Sequence, residues 1–329
     1  MTLLDSQKPK ISRRQFVVMA GALGAASTLP SGASAFARPL HLVNWAGSAL
    51  GAKASIQLYH PDPSWAELQL ARCQREIDRL ESLFSLYRPQ SATCRLNRDG
   101  YLDNPDIEFL SLLSRAIAFY HQTDGLFDVT VQPLWELYAH HYSSSSSDPK
   151  GPTKESINAT LARVGSDQIQ LAPSRISFHK KKMGLTFNGI AQGYITDRIT
   201  ALLKSAGFEN ILVSLGESSA LGLKPDGQFW RAGIISPIDG RTIVKTVDLK
   251  DKAIATSGGY GSPFSAKSET NHILNPLTGK STAPNRSVSV IAKTAVKADM
   301  ASTAFLLMPI EKQEKLLKQH SDIEDVFYL

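Results

Sequence analysis

The stretch TFNGIAQGYITD, residues 186–197, joins two segments with different hydrophobic patterns. The apolar run at 183–187 leads into it and predicts a buried strand. Apolar residues after Gly189 recur three and four positions apart, which predicts a helix. Gly189 and Gly193 would let another group approach the backbone closely, and a helix N-terminus presents N–H groups that suit phosphate. The glycines therefore indicate either a phosphate ligand or the packing of this helix against a sheet.

The same stretch matches neither of two common nucleotide-binding motifs. No Lys-Ser or Lys-Thr follows Gly193, so the stretch is not a P-loop. It also lacks the Gly-x-Gly-x-x-Gly pattern of dinucleotide-binding folds. A ligand at this turn would have to be bound in another way.

The first 37 residues resemble a twin-arginine export signal. Arg13 and Arg14 stand in the motif SRRQF, and a mildly apolar run at 16–29 follows them. This run is too short and too rich in alanine and glycine for a membrane span, and small residues near 33–37 fit a cleavage site. We expect residues 1–37 to be removed during twin-arginine export and the mature domain, residues 38–329, to be periplasmic.

The charge of the chain gives no indication of a nucleic-acid partner. The formal net charge is +6, and the signal holds four basic residues and one acidic residue, which leaves the mature part near +3. The remaining basic residues are spread evenly rather than gathered in a patch. We therefore expect no nucleic acid among the partners.

The order of predicted elements indicates one body of sheets and helices. The clearest helix begins near residue 63, because apolar residues alternate four and three positions apart: Ala66, Leu70, Cys73, Ile77, Leu80 and Phe84. Short strands are predicted at 55–59, 129–131, 168–171, 175–178, 210–216, 230–235, 243–249, 253–257 and 288–292. The polar segment 84–97 predicts a surface loop, and the serine-rich segment 143–152 predicts a mobile loop within the body.

A second strand-to-helix passage, residues 288–304, carries a candidate metal site. Asp299, Ser302 and Thr303 stand three and four positions apart, so their oxygens share one face of a helix. One carboxylate with two hydroxyls is an oxygen-only set that suits Mg²⁺ or Ca²⁺. The alternative is an aspartate stabilised near a helix N-terminus, with small residues that serve only packing. The spacing alone leaves both interpretations open.

Seven motifs, taken in order, resemble the ApbE-type FAD:protein FMN transferase family. They lie at 84–97, 124–128, 189–197, 215–216, 255–258, 272–279 and 298–303. The resemblance runs from about Leu50 to Met308 and implies an α+β fold related to the T-fold, in which mixed, largely antiparallel sheets pack with helices. The export signal and the motif NGIAQG further resemble the NosX-like branch associated with nitrous oxide reductase.

The resemblance implies a magnesium-dependent transferase with FAD as substrate. FMN would pass from FAD to a threonine or serine hydroxyl of a periplasmic acceptor protein, with release of AMP. The acceptor would be a flavoprotein, for example a membrane protein of the NosR or RnfG/NqrC type. Two alternatives are a magnesium-dependent FAD pyrophosphatase and a flavin-binding protein without catalysis.

The resemblance also assigns residues to roles. The metal would fall to Asp299, Thr303, the Gly189 carbonyl and Ser302, and His272 is our candidate for the catalytic base beside Asp299. FAD contacts would fall to eight residues: Leu50, Tyr87, Gly125, Leu126, Phe127, Thr186, Gln192 and His272. At Thr186, Glu217 and Asn275 the sequence departs from the usual family pattern, and each departure removes or moves a carboxylate.

Overall fold

A computed structural model describes residues 39–144, 147–265 and 270–329. The expected export signal, residues 1–37, lies outside these ranges, so its assignment stays a prediction. Within them, no helix combines the length and the apolarity that a membrane span requires.

Twelve strands and eight helices form the described part of the chain. The strands are β1 His41–Ala49, β2 Ala52–His60, β3 Tyr101–Asp103, β4 Ile169–Ala172, β5 Arg175–Phe178, β6 Ile211–Leu215, β7 Ser218–Leu221, β8 Trp230–Ile235, β9 Ile243–Leu249, β10 Lys252–Gly258, β11 Ser287–Ala292 and β12 Ile323–Tyr328. The helices are α1 Pro63–Phe84, α2 Ala92–Asp99, α3 Ile107–Gln122, α4 Gln132–His141, α5 Lys154–Leu161, α6 Ala191–Ser205, α7 Ala295–Leu307 and α8 Ile310–Gln319.

A seven-stranded sheet organises the fold, in the order β1-β2-β6-β7-β10-β11-β12. Its neighbouring strands all pair antiparallel, as do those of the smaller sheets β3-β5-β4 and β8-β9. The expectation of largely antiparallel sheets packed with helices is confirmed.

The two faces of the large sheet are covered by different elements. Side chains alternate between faces along each strand, so Val213 joins the core built with the helices, while Leu212 points the other way. On that second face the β8–β9 hairpin seals a smaller core around the buried Trp230. Both faces of the sheet are therefore covered, which explains why β6 and β10 are buried along nearly their whole length.

Helix α1 confirms the strongest sequence prediction. All six residues of its predicted apolar face are buried in the main core. Pro63 occupies the first turn, where its missing N–H costs nothing, and the Asp62 side chain accepts a hydrogen bond from Trp65 N at 3.1 Å.

The predicted strand at 183–187 is wrong in type, although the segment is largely buried. Its backbone finds partners other than a neighbouring strand. Leu185 exchanges two hydrogen bonds with the Asn97 side chain, at 2.6 and 2.8 Å, and Thr186 N donates to Val129 O at 2.8 Å. Buried peptide groups need partners, but a side chain can supply them as well as a sheet does.

Two further sequence predictions are corrected. Residues 129–131 form a 3₁₀ turn rather than a strand, because the Asp128 carboxylate accepts from both the N–H and the hydroxyl of Thr130. Within the predicted loop 84–97, helix α2 begins at Ala92, capped by Ser91, and it ends at Asp99, where Gly100 caps it with a positive φ of 78°. Polar caps and a short length hid this helix from the hydrophobic pattern.

The serine-rich segment is bordered by turns. His140 O accepts from Ser143 N at 3.2 Å, and Asp148 O accepts from Gly151 N at 3.0 Å. Residues 145–146 fall outside the described ranges, so the mobility of this loop stays a prediction.

Candidate active site

One end of the large sheet gathers most of the predicted site residues. The β1–β2 turn, which holds Leu50, lies beside the β6–β7 turn, because Ala54 pairs with Leu215. Strand β10 passes Ser218, the first residue of β7, and continues to Ser257. The β1–β2 turn, the β6–β7 turn and the C-terminal end of β10 therefore lie at the same end of the sheet.

Helices α6 and α7 form the tightest contact near this edge. A Cβ added at Gly193 would lie 2.4 Å from Ala295 O, so no larger residue fits without moving a helix. The same glycine donates its N–H to Asp299 Oδ2 at 3.0 Å. Asp299 is 1% exposed, which places a buried carboxylate at a fixed point between the two helices.

Three hydroxyls lie next to Asp299 in sequence or space. Ser257 Oγ is 2.9 Å from Ser302 Oγ and 3.0 Å from Thr303 Oγ1, and Ser302 Oγ donates to Asp299 O at 3.0 Å. Gly189 lies against the same group, since its added Cβ would be 3.2 Å from Thr303 Oγ1. The structure thus brings the hydroxyls of Ser302, Thr303 and Ser257 together beside Gly189, and Gly193 holds the Asp299 carboxylate between the same two helices.

This oxygen cluster fits Mg²⁺. Carboxylate, hydroxyl and carbonyl oxygens are the ligands that hard cations prefer. Among the described residues no group of three or more His, Cys, Asp or Glu is placed to hold a metal ion, so a cation here would rely on one carboxylate together with hydroxyl and carbonyl oxygens. Ser257 was missed as a site residue because it is 45 positions from Ser302 in the sequence, and only the packing of β10 on α7 joins them.

The loop at 124–128 borders the cluster. Gly125 has a positive φ of 82°, a conformation that glycine adopts without steric cost, and it turns the chain back after α3. Phe127 Cε2 lies 3.4 Å from the position of a Cβ at Gly189. The Leu126 and Phe127 side chains are buried in the main core, so they support the loop from beneath.

The turn that contains His272 lies on the other side of this loop. Leu277 Cδ2 would be 3.3 Å from a Cβ at Gly125. Asn275 Oδ1 accepts hydrogen bonds from Leu277 N at 2.9 Å and Thr278 N at 3.0 Å, so an amide oxygen serves here in place of the carboxylate that the resemblance led us to expect. His272 is partly buried, and its backbone N–H donates to Ser262 O at 3.2 Å.

Leu50 and Tyr87 form a separate group at the β1–β2 turn. Leu50 has a positive φ of 46° and donates its N–H to Glu81 Oε1 at 2.6 Å, and the same carboxylate pairs with Arg88. Tyr87 is 57% exposed and packs beside Gly51. Strand β1, at this turn, and strand β10, which carries Ser257, are four strand spacings of ~4.8 Å apart, or about 19 Å. This distance suits an extended ligand.

Gln192 and Glu217 lie between these two groups, and Thr186 lies in the turn before Gly189. Gln192 covers Gly216, whose added Cβ would be 2.5 Å from Gln192 Cδ. Thr186 Oγ1 accepts from Asn188 N at 3.2 Å and so closes the turn before Gly189. Glu217 is buried, and its Oε2 accepts a hydrogen bond from Thr256 N at 3.2 Å, so its carboxylate binds the backbone of β10.

Two aspartates near the site have raised pKa values. Burial raises the pKa of Asp128 despite hydrogen bonds from Thr130 and Ser166. Burial also raises the pKa of Asp197 to about 6, although Ala295 N and Val296 N donate to it at 2.7 and 2.9 Å. In both cases desolvation of the charged form outweighs the hydrogen bonds.

Fold and site together define an α+β protein with an oxygen-only candidate metal site at one end of an antiparallel sheet. The sequence profile of the ApbE family matches residues 50–327. The FAD:protein FMN transferase of Vibrio cholerae serotype O1 is 30% identical over 84% of either chain, and that of Salmonella typhimurium is 29% identical over 77% of this chain and 75% of the relative. This chain belongs to the ApbE family.

Solved structures agree with this assignment. The flavinyl transferase ApbE of Pseudomonas stutzeri superposes with a TM-score of 0.71 at 26% identity, over 88% of this chain and 92% of that one. The ApbE protein of Thermotoga maritima gives 0.73 at 26% identity, over 88% and 94%. The fold expected from the resemblance is thereby confirmed over most of the chain.

Proposed function

We propose that this protein transfers FMN from FAD to a threonine or serine hydroxyl of an acceptor protein, with Mg²⁺ as the metal and AMP as the second product. The relatives that share its family carry the name FAD:protein FMN transferase. The observation that carries the proposal is the buried oxygen cluster of Asp299, Ser302, Thr303 and Ser257 against Gly189. Such a cluster suits a cation that neutralises the clustered charge of a diphosphate.

The reaction forms one bond to phosphorus and breaks another. The acceptor hydroxyl oxygen bonds to the phosphorus on the FMN side, and the bond from that phosphorus to the oxygen bridging to AMP breaks. AMP leaves with the bonding electron pair, and the hydroxyl proton passes to a base. His272, in the turn that packs on Gly125 through Leu277, is our candidate for that base.

Asp299, Thr303, Ser302 and the Gly189 carbonyl would hold the metal. When bound, Mg²⁺ would stabilise the negative charge that grows on the diphosphate oxygens. Gly193 N–H orients the Asp299 carboxylate before any ligand arrives. This preorganisation is the part of catalysis that the protein itself supplies.

FAD would extend along the site edge from this cluster toward Tyr87. We assign its contacts to the two predicted groups and the residues between them: Leu50, Tyr87, Gly125, Leu126, Phe127, Thr186, Gln192 and His272. An exposed aromatic ring at one end and an oxygen cluster about four strands away suit a ligand with flat and anionic parts.

An assay with FAD, Mg²⁺ and a candidate acceptor protein tests the reaction. We expect AMP only when the acceptor is present, together with a fluorescent acceptor band on a denaturing gel. Free FMN and AMP without acceptor would instead indicate an FAD pyrophosphatase. Intact bound FAD without AMP would indicate a flavin-binding protein.

We further propose export to the periplasm by the twin-arginine route, membership of the NosX-like branch, and a membrane flavoprotein of the NosR or RnfG/NqrC type as acceptor. Arg13 and Arg14 in the motif SRRQF support the export route. Replacing both arginines with lysine should leave the precursor in the cytoplasm. Unchanged delivery of the double variant to the periplasm would contradict this route.

A further inference from the structure

Helices α6 and α7 meet through two matching series of residues, each spaced four apart. Gly189, in the turn before α6, lies against Thr303, and Gly193 donates its N–H to Asp299 at 3.0 Å. One turn further along α6, Asp197 accepts from Ala295 N at 2.7 Å. The three contacts advance along α6 as they retreat along α7, so one antiparallel register sets all of them.

Asp197 fixes this register at the end away from the candidate metal site. Its two carboxylate oxygens accept from two successive amides, Ala295 N at 2.7 Å and Val296 N at 2.9 Å. These N–H groups belong to the first turn of α7, where no intrahelical acceptor exists. A bidentate carboxylate on one helix that caps another limits sliding and rotation between them.

The middle contact transmits this position to Asp299. With Gly193 packed against Ala295 O, α7 can neither approach α6 further nor slide without losing the close contact. One turn of α7 then separates the capped amides from Asp299, and a second turn separates Asp299 from Thr303. A displacement at Asp197 would therefore move both predicted metal residues relative to Gly189 and Gly193.

We propose that Asp197 is a positioning residue for the metal site: it holds α7 in the register that places Asp299 against Gly193 and Thr303 against Gly189. This inference rests on the proposed function, because it concerns the same metal site. Asp197 itself contacts neither Asp299 nor Thr303 through its hydrogen bonds, which go to Ala295 and Val296. Its role is carried by the helix that it caps.

Thr294 offers a matched control on the same helix. Thr294 Oγ1 accepts from Lys297 N at 3.4 Å and so also caps α7, but this bond lies within the helix. Both Asp197→Ala and Thr294→Ala remove an acceptor from the α7 N-terminus. Only Asp197→Ala removes a tie between α7 and α6.

The first measurement is Mn²⁺ binding to the full chain, followed by electron paramagnetic resonance as a probe of the Mg²⁺ site. Asp197→Ala should weaken Mn²⁺ binding about tenfold or more, as loss of a group that orients metal ligands typically does. Thr294→Ala should bind Mn²⁺ as the wild type does. Equal Mn²⁺ affinity in Asp197→Ala and the wild type would overturn the inference.

The second measurement is hydrogen exchange of the Gly193 amide in the metal-free protein. Asp197→Ala should expose this amide to faster exchange, because its bond to Asp299 depends on the register, whereas Thr294→Ala should not. A weaker Mn²⁺ affinity without faster Gly193 exchange would assign the effect to the lost charge and overturn the positioning role.

Asp299→Asn separates this inference from the proposed function. If Asp299→Asn binds Mn²⁺ as the wild type does, the proposed metal site is wrong, whatever Asp197 does. If Asp299→Asn abolishes binding while Asp197→Ala changes neither affinity nor Gly193 exchange, the metal site stands and only the positioning role fails.

Discussion

The α6–α7 contact and the β1–β2 turn are the two ends of the same candidate site, and their construction differs. At the α6–α7 contact the Gly193 backbone packs directly on the Ala295 backbone, and Asp299 is 1% exposed. At the β1–β2 turn Tyr87 is 57% exposed, and Leu50 is held through the Glu81 side chain. Buried, hydrogen-bonded groups keep a fixed geometry, whereas an open aromatic surface lets a ligand enter and leave. We infer that one end positions reacting groups and the other mainly supplies affinity.

Asp299→Asn should produce the largest effect, because it removes the one carboxylate of the oxygen cluster. We expect FMN transfer to fall about 100-fold or more, in the range of losses seen when a preorganised charge-stabilising group is removed. The fold should persist, since Asn can still accept from Gly193 N. The measurement is transfer to an acceptor across a Mg²⁺ titration, with thermal melting in parallel. Near-normal transfer with an unchanged Mg²⁺ midpoint would refute the metal assignment.

Gly193→Ala should break the packing of the same end. The added methyl would lie 2.4 Å from Ala295 O, and the backbone cannot swing aside as a flexible side chain could. We expect a loss of ~1–3 kcal/mol in the free energy of unfolding, as overpacked cores show, together with weaker transfer.

Gly184→Ala is the control for that change. Gly184 is also buried, but its added Cβ would meet Gln132 Cγ at 3.5 Å, an ordinary contact distance. Denaturant unfolding of both variants checks the difference. Equal stability of the two would show that α6 and α7 can separate without cost.

Asp197→Asn should reveal a pH-dependent contribution to stability. The pKa of Asp197 is raised to about 6 in the folded protein, so this group favours folding most at low pH and loses that contribution as pH rises through 6. Relative to Asp197→Asn, which does not titrate, the wild type should therefore lose about 1 kcal/mol of unfolding free energy between pH 5 and pH 7. Denaturant melts of both proteins across this range provide the measurement. A stability difference that is constant with pH would contradict the raised pKa.

Tyr87→Ala probes the open end and should have the smallest effect. Loss of an aromatic contact of ~0.5–1.5 kcal/mol would raise the KM for FAD about two- to thirteenfold. The rate at saturating FAD and the melting temperature should stay near wild type, because the ring is mostly exposed. Tyr101→Ala is the control, since Tyr101 on β3 is also exposed but its ring packs under Arg175 of β5. A fall in kcat at saturating FAD would show that this end also positions the reacting groups.

The part of the fold that the sequence predicts well is the part with regular periodicity. The apolar face of α1 was predicted residue by residue, because Ala66, Cys73 and Leu80 repeat along one helical stripe. The prediction of a strand at 183–187 was wrong, because apolar composition indicates that a segment is buried but not which groups bond its backbone. Its partners are Asn97 and Val129, which are far away in the sequence. Strand β1 was not predicted, because its mixed polar and apolar residues follow no clear alternation toward a buried face.

The sequence alone determined which residues belong together as candidates. The spacing of Asp299, Ser302 and Thr303 places their oxygens on one helix face, because helical geometry is local. The motifs around Gly189 and Gly193 likewise indicated a close approach before any partner was known.

Tertiary structure decided what approaches those glycines. It placed Thr303 and Ala295 there, brought Ser257 to the cluster, and set the register of α6 against α7 through Asp197. These contacts join residues about 45 to 115 positions apart, and no local pattern encodes them, because they depend on how a whole sheet and two helices pack.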